Sequence, residues 1–333
     1  SAAAIAEADA QIRERFASYV ASSSASPRRW REEGFLLSPS ALTKLHSIFA
    51  GFRLTSTGFD LRSSALRVFL SGPLRKGLGI FLTPEDVVRE IVAALEPQTS
   101  DQILDPACGS GTFLMDAAQF ISKQGDAQGK LYGVDKNPRM LQLAEFNCGH
   151  LSNVTFHRAC AYSLLPFGSS GHPDWFREAA FDLILTNPPF GVSVDGQSYS
   201  FDEFVTCTDT RKGTVKKQGS EIMFLERAMQ LLRPGGRLGI VLPRSVITNQ
   251  RISEARAQLG KYGCVLGLIT LPPETFAATG TQTTTVVLIA ERFGPQLERS
   301  SSIRPILARI ENVGFDLTGR ARPGSQLPGL GAT

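Results

Sequence analysis

The sequence predicts an α/β fold with a doubly wound, mostly parallel sheet. After about residue 77, short β-branched runs alternate with helical segments, which is the pattern of βαβ units. Right-handed crossovers between such units build an open sheet whose ligand sites lie beyond the carboxyl ends of its strands. The 333 residues, 42% hydrophobic and 20% charged, are enough for a large core and exclude disordered, collagen-like and coiled-coil classes.

Residues 1–76 are predicted to form a small helical domain. Apolar residues at helical spacing from Ile5 to Val20 indicate a first helix, and two more are expected after Pro39 and around residues 63–71. The Gly-rich stretch 76–79 marks the expected domain boundary. Nothing in this part of the sequence points to chemistry.

Residues 77–312 carry the alternating pattern, and residues 313–333 are predicted to be a C-terminal tail. The predicted strands are Gln102–Leu104, Leu131–Val134, Val154–His157, Leu183–Thr186, Leu238–Leu242, Val265–Thr270 and Thr284–Ala290. The predicted helices are Pro84–Leu95, Gly111–Ser122, Arg139–Cys148, Glu221–Leu232 and Ser253–Tyr262.

Charge and cysteine content narrow the function classes. There are 35 Lys and Arg residues against 31 Asp and Glu, and a formal charge of +4 permits contact with nucleic acid without arguing for it. The five cysteines form no Cys-x-x-Cys pair, which argues against a zinc site or a disulfide framework. With no signal-peptide pattern and no long apolar run, we expect a cytoplasmic protein with no metal and no membrane contact.

The first informative motif runs from Ile103 to Leu114. A buried strand leads into the glycine-rich turn Asp105–Gly111 and then into a helix, so backbone amides and a helix N-terminus can approach a polar ligand. A plain tight turn is the alternative. The spacing does not match the Gly-x-Gly-x-x-Gly or Walker phosphate-binding patterns.

An acidic residue ends the second predicted strand. Asp135 is placed to accept hydrogen bonds from a ribose diol, as the acidic residue of nucleotide-binding α/β folds does. The alternative is that Asp135 only caps the helix that begins near Pro138. Taken with the glycine turn, Asp135 favours a nucleoside ligand.

The most specific motif is Asn187-Pro188-Pro189-Phe190, which follows a buried strand. The two prolines fix the backbone and remove two amide donors, so carbonyl oxygens stay free to accept. The Asn187 side-chain carbonyl and the Pro188 backbone carbonyl can together hold an exocyclic amino group, and Phe190 offers a stacking face to the same base. A simple loop with a core Phe would not explain this position at a strand end.

These motifs resemble the γ-class S-adenosylmethionine-dependent adenine methyltransferases of DNA, and in particular the modification subunits of type I restriction-modification systems. The segments that carry the resemblance are Phe81–Pro84, Asp105–Gly111, Asp135, Asn187–Phe190, Gly235–Pro243, Leu271–Phe276 and Thr279–Thr283. The resemblance implies a seven-stranded class I methyltransferase sheet of the Rossmann-like type and S-adenosyl-L-methionine as cofactor.

The resemblance also implies a role for each motif. Asn187, Pro188, Pro189 and Phe190 would be catalytic, and the aromatic rings of Phe190 and Phe276 would sandwich a flipped-out adenine, with simple packing as the alternative for Phe276. The implied cofactor-binding residues are Phe81, Thr83, Pro84, Asp105, Pro106, Ala107, Gly109, Gly111, Thr112, Asp135 and Lys136.

One segment departs from the family pattern. Relatives often carry Asp or Asn after the third strand to bind the adenine of the cofactor, whereas this chain has His157–Leu164. Backbone groups, Tyr162 or Ser163 are the remaining candidates for that contact.

A basic segment follows the Asn-Pro-Pro-Phe turn, in what is predicted to be a long structureless loop. Its residues Arg211, Lys212, Lys216 and Lys217 are candidates for contact with DNA phosphates, and a solvated surface loop is the alternative. Because little sequence follows the last predicted strand, we expect a separate specificity subunit to supply target recognition. A restriction subunit is a further candidate partner.

Three functions therefore compete. The resemblance favours methylation of adenine in DNA by a modification subunit. An Asn-Pro-Pro-aromatic motif also serves methyltransferases of RNA or protein glutamine, and a catalytically silent methylase-like binding subunit would keep the fold alone. Cytosine is a weaker candidate, because relatives that act on it more often carry Ser at the position of Asn187.

Overall fold

The structure is a computed structural model of the chain. It describes residues 83–125, 128–148, 151–158, 167, 172–195, 202–209, 213–214, 217–279, 283–294, 303–318 and 320–328, and isolated residues between 7 and 44. Contacts divide the chain into two compact units, Ser1–Leu70 and Ser71–Thr333. The division into domains 1–76, 77–312 and 313–333 remains a prediction.

Helical residues are present in the first unit. Glu7, Gln11 and Glu14 are helical, as are Ala41 and Lys44. Before the second of these stretches, the hydroxyl of Ser38 accepts the backbone N–H of Ala41 at 3.3 Å, a typical cap of a helix N-terminus. The helix expected around residues 63–71 lies outside the described residues.

The second unit alternates strands and helices along the chain. Its helices are α1 (Glu85–Leu95), α2 (Thr112–Ser122), α3 (Pro138–Cys148), α4 (Ser220–Leu231), α5 (Ser245–Thr248) and α6 (Ser253–Leu259). The strands are β1 (Ile103–Asp105), β2 (Leu131–Asp135), β3 (Val154–Arg158), β4 (Phe181–Thr186), β5 (Ser193–Asp195), β6 (Thr208–Asp209), β7 (Gly213–Thr214), β8 (Lys217–Gly219), β9 (Leu232–Pro243), β10 (Gly263–Leu271), β11 (Thr285–Arg292) and β12 (Ile306–Arg309).

Eight of the strands form one sheet, in the order β12-β10-β11-β9-β4-β1-β2-β3. Strand β11 runs antiparallel to both of its neighbours, and the other pairs are parallel. The chain starts in the middle of the sheet at β1, builds outward to β3, and then returns to β4 on the other side. This is the predicted doubly wound sheet, with the reversal of direction between β1 and β4.

Helices cover both faces of the sheet. Every residue of β4 is buried, which explains why its sequence is an almost continuous apolar run rather than an alternating one. On one face α1, α2 and α3 pack through residues such as Val88, Leu114 and Ala144. On the other face α4 packs through Leu225 and Ala228. The second unit is therefore a three-layer α/β/α structure.

Helix α4 also carries a buried polar cluster. The carboxylate of Glu226 accepts the backbone N–H groups of Val205 (2.7 Å) and Thr206 (2.9 Å), the Thr206 hydroxyl (2.5 Å) and the Tyr262 hydroxyl (3.0 Å). The next residue, Arg227, forms an ion pair with Glu203 at 3.0 Å. Burial lowers the pKa of the Arg227 guanidinium, and Glu203 opposes that shift. The cluster fixes residues 203–206 on α4.

All seven predicted strands are confirmed, but the sequence did not reveal three features. The sheet has an eighth strand, β12, at its edge. The segment after the Asn-Pro-Pro-Phe turn is not structureless, because β5 pairs with β8 and β6 pairs with β7. Within the predicted tail, Val313 and Leu327 are buried in the main core.

The Glu226 cluster predicts a large loss of stability on substitution. Glu226→Leu removes the acceptor of five donors, the four above and the Gln230 side-chain amide at 3.4 Å, so we expect the free energy of unfolding to fall by about 3 kcal/mol or more. The control is Glu178→Ala, which removes an exposed partner of Arg292 and is expected to lower the free energy of unfolding by less than about 1 kcal/mol. Urea unfolding measures both, and equal losses would contradict the prediction.

Candidate active site

Three strands bring the predicted site residues to one edge of the sheet. Strand β1 lies between β2 and β4 and runs parallel to both. Asp105 is the last residue of β1, Asp135 is the last residue of β2, and Asn187 follows the last residue of β4. The carboxyl ends of parallel neighbours meet at the same edge, so residues far apart in sequence form one site.

The end of β2 holds the glycine turn. The backbone N–H of Cys108 donates to the Val134 carbonyl at 2.9 Å. The carboxylate of Asp135 accepts two more backbone N–H groups, from Gly109 at 2.9 Å and from Asn137 at 2.7 Å. Asp135 therefore does more than cap the following helix, because it ties the glycine turn to the adjacent strand.

The two glycines of the turn have different roles. Both have positive φ angles, +51° at Gly109 and +80° at Gly111, which disfavour any other residue. A Cβ on Gly111 would lie 3.1 Å from the Cys148 sulfur and 3.2 Å from the Ala144 Cβ, so Gly111 allows close packing against α3. A Cβ on Gly109 would meet no atom of the described residues within 4 Å. Of the two glycines, Gly109 is therefore the one that leaves space for a ligand.

Helix α3 holds the same turn from behind. The side-chain amide of Asn147 donates to the Ser110 carbonyl at 2.9 Å, and Asn147 is buried. Sequence reasoning missed this residue. A signal was available, because Asn147 shares the apolar face of α3 with Met140, Ala144 and Cys148, where a polar residue needs a partner.

Asp105 is completely buried at the end of β1. Its carboxylate accepts the backbone N–H of Ala107 at 3.0 Å. Burial raises the pKa of Asp105 from 3.8 to about 7, the Thr186 hydroxyl and the Ala107 N–H oppose this change, and the nearby Asp135 adds to it. Asp105 thus titrates near neutral pH and can stabilise a cation brought against it.

Asn187 contacts the segment that precedes α1. Its side-chain amide nitrogen donates to the Thr83 hydroxyl at 2.9 Å, joining two residues that lie 104 positions apart. Its side-chain oxygen is buried and has no hydrogen-bond partner among the described residues. Thr83 therefore fixes the orientation of the amide and leaves the carbonyl oxygen as a free acceptor.

The rest of the Asn-Pro-Pro-Phe turn is anchored to α4. The hydroxyl of Ser220 donates to the Pro189 carbonyl at 3.1 Å, and the Ser220 N–H donates to the Val192 carbonyl at 2.8 Å. Phe190 is half-buried against the main core. Ser220 was not singled out from the sequence, because a serine that begins a helix is expected as an ordinary cap.

Phe276 does not lie at the surface of the site. It belongs to the 3-10 helix Pro273–Thr279, and none of its surface is exposed. A ring buried in the main core offers no face on which a base can stack, so the packing interpretation replaces the predicted stacking role. Phe190 is the remaining aromatic candidate.

Several predicted site residues cannot be placed with the others. Phe81, Tyr162, Ser163, Arg211, Lys212 and Lys216 lie outside the described residues. Lys217 is exposed on β8, opposite Asp195 in the register. Lys136 is exposed beside Asp135, while Pro84, Pro106 and Thr112 lie at the same sheet edge as the glycine turn.

Among the residues described here, no group of three His, Cys, Asp or Glu could hold a metal ion, and no helix could cross a membrane.

The raised pKa of Asp105 predicts a pH-dependent stability. Between about pH 4 and pH 7 the folded chain keeps a proton that the unfolded chain has lost, so the free energy of unfolding falls as the pH rises. Asp105→Asn removes this penalty and is expected to stabilise the chain at pH 8 by up to about 4 kcal/mol, with little gain at pH 4. Urea unfolding at the two pH values checks this, and an equal effect at both would contradict it.

Curated proteins that are similar to this chain include methylase subunits of type I restriction enzymes. The chain is 26% identical to the type I restriction enzyme MjaVII methylase subunit of Methanocaldococcus jannaschii, over 81% of this chain and 46% of the relative. It is 24% identical to the EcoKI methylase subunit of Escherichia coli, over 63% of this chain and 40% of the relative. This chain therefore spans less than half the length of these curated relatives.

The fold is also found in solved structures. A type I restriction-modification methyltransferase subunit from Streptococcus thermophilus matches with a TM-score of 0.60 and 22% identity, over 78% of this chain and 54% of the other. The family model for N-6 DNA methylases matches residues 70–302, which is more than half of the chain. With the glycine turn, Asp135 and the Asn-Pro-Pro-Phe turn at one sheet edge, the chain belongs to the N-6 DNA methylase family.

Proposed function

We propose that this chain transfers a methyl group from S-adenosyl-L-methionine to the exocyclic amino group of adenine in DNA. It would act as the catalytic part of a type I modification subunit. The ordered motifs and the N-6 DNA methylase family support the reaction type. The names of relatives such as the EcoKI methylase subunit support the restriction-modification setting.

The observation that carries the proposal is the free oxygen of Asn187. A buried acceptor without a donor destabilises the folded chain by about 1–3 kcal/mol, and a ligand that supplies the donor would recover that free energy. An exocyclic amino group has two N–H donors. One would bind the Asn187 oxygen and the other the Pro188 carbonyl, which leaves the nitrogen lone pair directed away from both.

The residues around the glycine turn fit the proposed cofactor. A carboxylate has about four acceptor sites, so Asp135 keeps capacity for a ribose diol after it binds the two backbone N–H groups. Gly109 leaves space at the turn, and Asp105 lies next to it as a group that becomes anionic near neutral pH. When bound, S-adenosylmethionine supplies an electrophilic methyl group on a positively charged sulfur.

The proposed catalysis depends on alignment. Thr83 fixes the Asn187 amide, Ser220 fixes the Pro189 carbonyl, and the prolines limit the backbone between them. Holding the amino nitrogen in line with the methyl donor converts the reaction into a step within one complex. As the nitrogen becomes positively charged, the Asn187 oxygen and the Pro188 carbonyl bind its two N–H groups more strongly, and the methylated nitrogen then loses one of these protons to solvent water. The target base must leave the DNA stack to reach this edge, and Phe190 is the aromatic residue available to support it.

RNA or a protein glutamine remains the second candidate substrate, because its acceptor is also a planar amino or amide group. The family match favours DNA. Incubation with isotope-labelled cofactor and mass spectrometry of DNA, RNA and protein would distinguish them.

For the DNA reaction we infer a partner specificity subunit, and a restriction subunit as a further partner. The cytoplasmic location is likewise inferred.

Replacing Asn187 tests the proposed catalytic role. Asn187→Ala removes the acceptor for the target amino group, so we expect the rate of methyl transfer to fall at least about 100-fold. Binding of S-adenosylmethionine, measured by calorimetry, should change little. The matched control is Asn153→Ala, since the Asn153 amide donates to the Gly129 carbonyl at 2.9 Å, in the loop before β2. Unchanged transfer by the Asn187 variant would refute the role.

The two glycines provide a test of the cofactor site. Gly109→Ala places a methyl group in the open space beside the turn, so we expect S-adenosylmethionine affinity to fall at least about tenfold. Gly235→Ala is the matched control, because Gly235 has a φ of +80° with nothing within 4 Å but lies at the other end of the sheet. Both variants carry a similar backbone penalty of about 1–2 kcal/mol. Equal cofactor affinity in the two variants would contradict the assignment.

A further inference from the structure

A cavity opens at the same edge of the sheet as Asn187. It has a volume of about 330 Å³ and is formed where strands β9, β10 and β12 end and β11 begins. Its chemically active side chains are Arg244, Glu274, Arg309 and Glu311, with Pro272 and Pro273 as an apolar wall. The volume lies at the lower end of the range for ligand pockets, about 300–1,000 Å³. A cavity of this size is better matched to one nucleotide than to a longer segment of DNA.

Two of the four charged side chains in this cavity have no ion-pair partner among the described residues. Arg309 and Glu311 form an exposed ion pair at 3.6 Å. The side chains of Arg244 and Glu274 make no ion pair or hydrogen bond with any residue that the structure describes, although the Arg244 backbone N–H donates to the Thr284 carbonyl at 3.0 Å. The cavity therefore presents one cation and one anion, both available to a ligand.

The cavity lies close to the end of β4, where the proposed methyl transfer takes place. Strand β9 is the parallel neighbour of β4, with Ile240 opposite Thr186, and Arg244 follows the last residue of β9. Strand β10 lies two strands beyond β9 in the sheet order, on the far side of β11. At about 4.8 Å per strand, the end of β9 lies about 5 Å and the end of β10 about 14 Å from the end of β4. Stacked nucleotides rise about 3.4 Å each, so the cavity covers distances of about two to four nucleotides from that point.

We propose that this cavity binds one nucleotide of the target DNA strand, about two to four nucleotides from the target adenine. The Arg244 guanidinium binds the phosphate of that nucleotide, because its fork of N–H donors matches phosphate oxygens. The Glu274 carboxylate accepts a hydrogen bond from an exocyclic amino group of the base, which adenine and cytosine carry and thymine lacks. The inference rests on the proposed function, since DNA is the substrate that brings a nucleotide to this edge.

The first test measures binding of a fluorescein-labelled twelve-nucleotide single-stranded DNA of mixed sequence to the full chain. Arg244→Ala is expected to weaken binding about tenfold or more and to reduce the slope of affinity against salt by about 0.7, the value for one phosphate contact. S-Adenosylmethionine affinity should not change. The control, Arg177→Ala, removes the same charge from an exposed residue that precedes β4, at the opposite edge of the sheet, and should leave DNA binding unchanged.

The second test concerns Glu274. The unaltered chain should bind oligo-dC more tightly than oligo-dT, and Glu274→Gln should reduce that difference without abolishing binding. Absence of oligonucleotide binding, equal loss in the Arg244 and Arg177 variants, or full displacement by free dCMP at equal concentration would overturn the proposal. Methyl transfer is not measured, so failure of the proposed adenine methylation would appear separately, in the Asn187 experiment.

Discussion

The parallel pairing of β1 with both β2 and β4 is the constraint on which the site depends. Asp105 and Asp135 end their strands and Asn187 follows β4, and the common direction of the three strands brings these residues to one edge. The residues that hold the site come from elsewhere, since Asn147, Thr83 and Ser220 lie on α3, before α1 and on α4. The sheet sets where the motifs lie, and the helices fix their orientation.

Buried strands were predictable from the sequence because both faces of the central sheet exclude water. Strand β4 is apolar throughout for this reason, and the motif after it was recognisable as a strand end. Strand β12 escaped prediction because it lies at the edge, where Ile306 and Leu307 are largely exposed and no burial pattern marks the strand. The short strands β5 and β8 were missed because three residues are too few to show a period.

The individual motifs of the site were predictable, but not the contacts between them. Asn187 was identified from its own neighbours, whereas its bond to Thr83 joins segments that no local pattern relates. The role of Phe276 could not be predicted, because an aromatic residue after Leu-Pro-Pro is compatible with either stacking or packing. Its complete burial decides between these two roles in favour of packing. Residue type thus indicates what a side chain can do, while burial determines whether it can do it.

The anchoring of α4 has a consequence for how such a protein can change. The chain leaves the Asn-Pro-Pro-Phe turn beside Ser220 and is fixed again by Glu226 at residues 205–206. It then returns through β8 directly into α4. Helix α4 therefore holds the segment that joins the Asn-Pro-Pro-Phe turn to α4, both where it begins and where it ends. We therefore expect insertions or deletions between these anchors to leave the geometry of Asn187 intact.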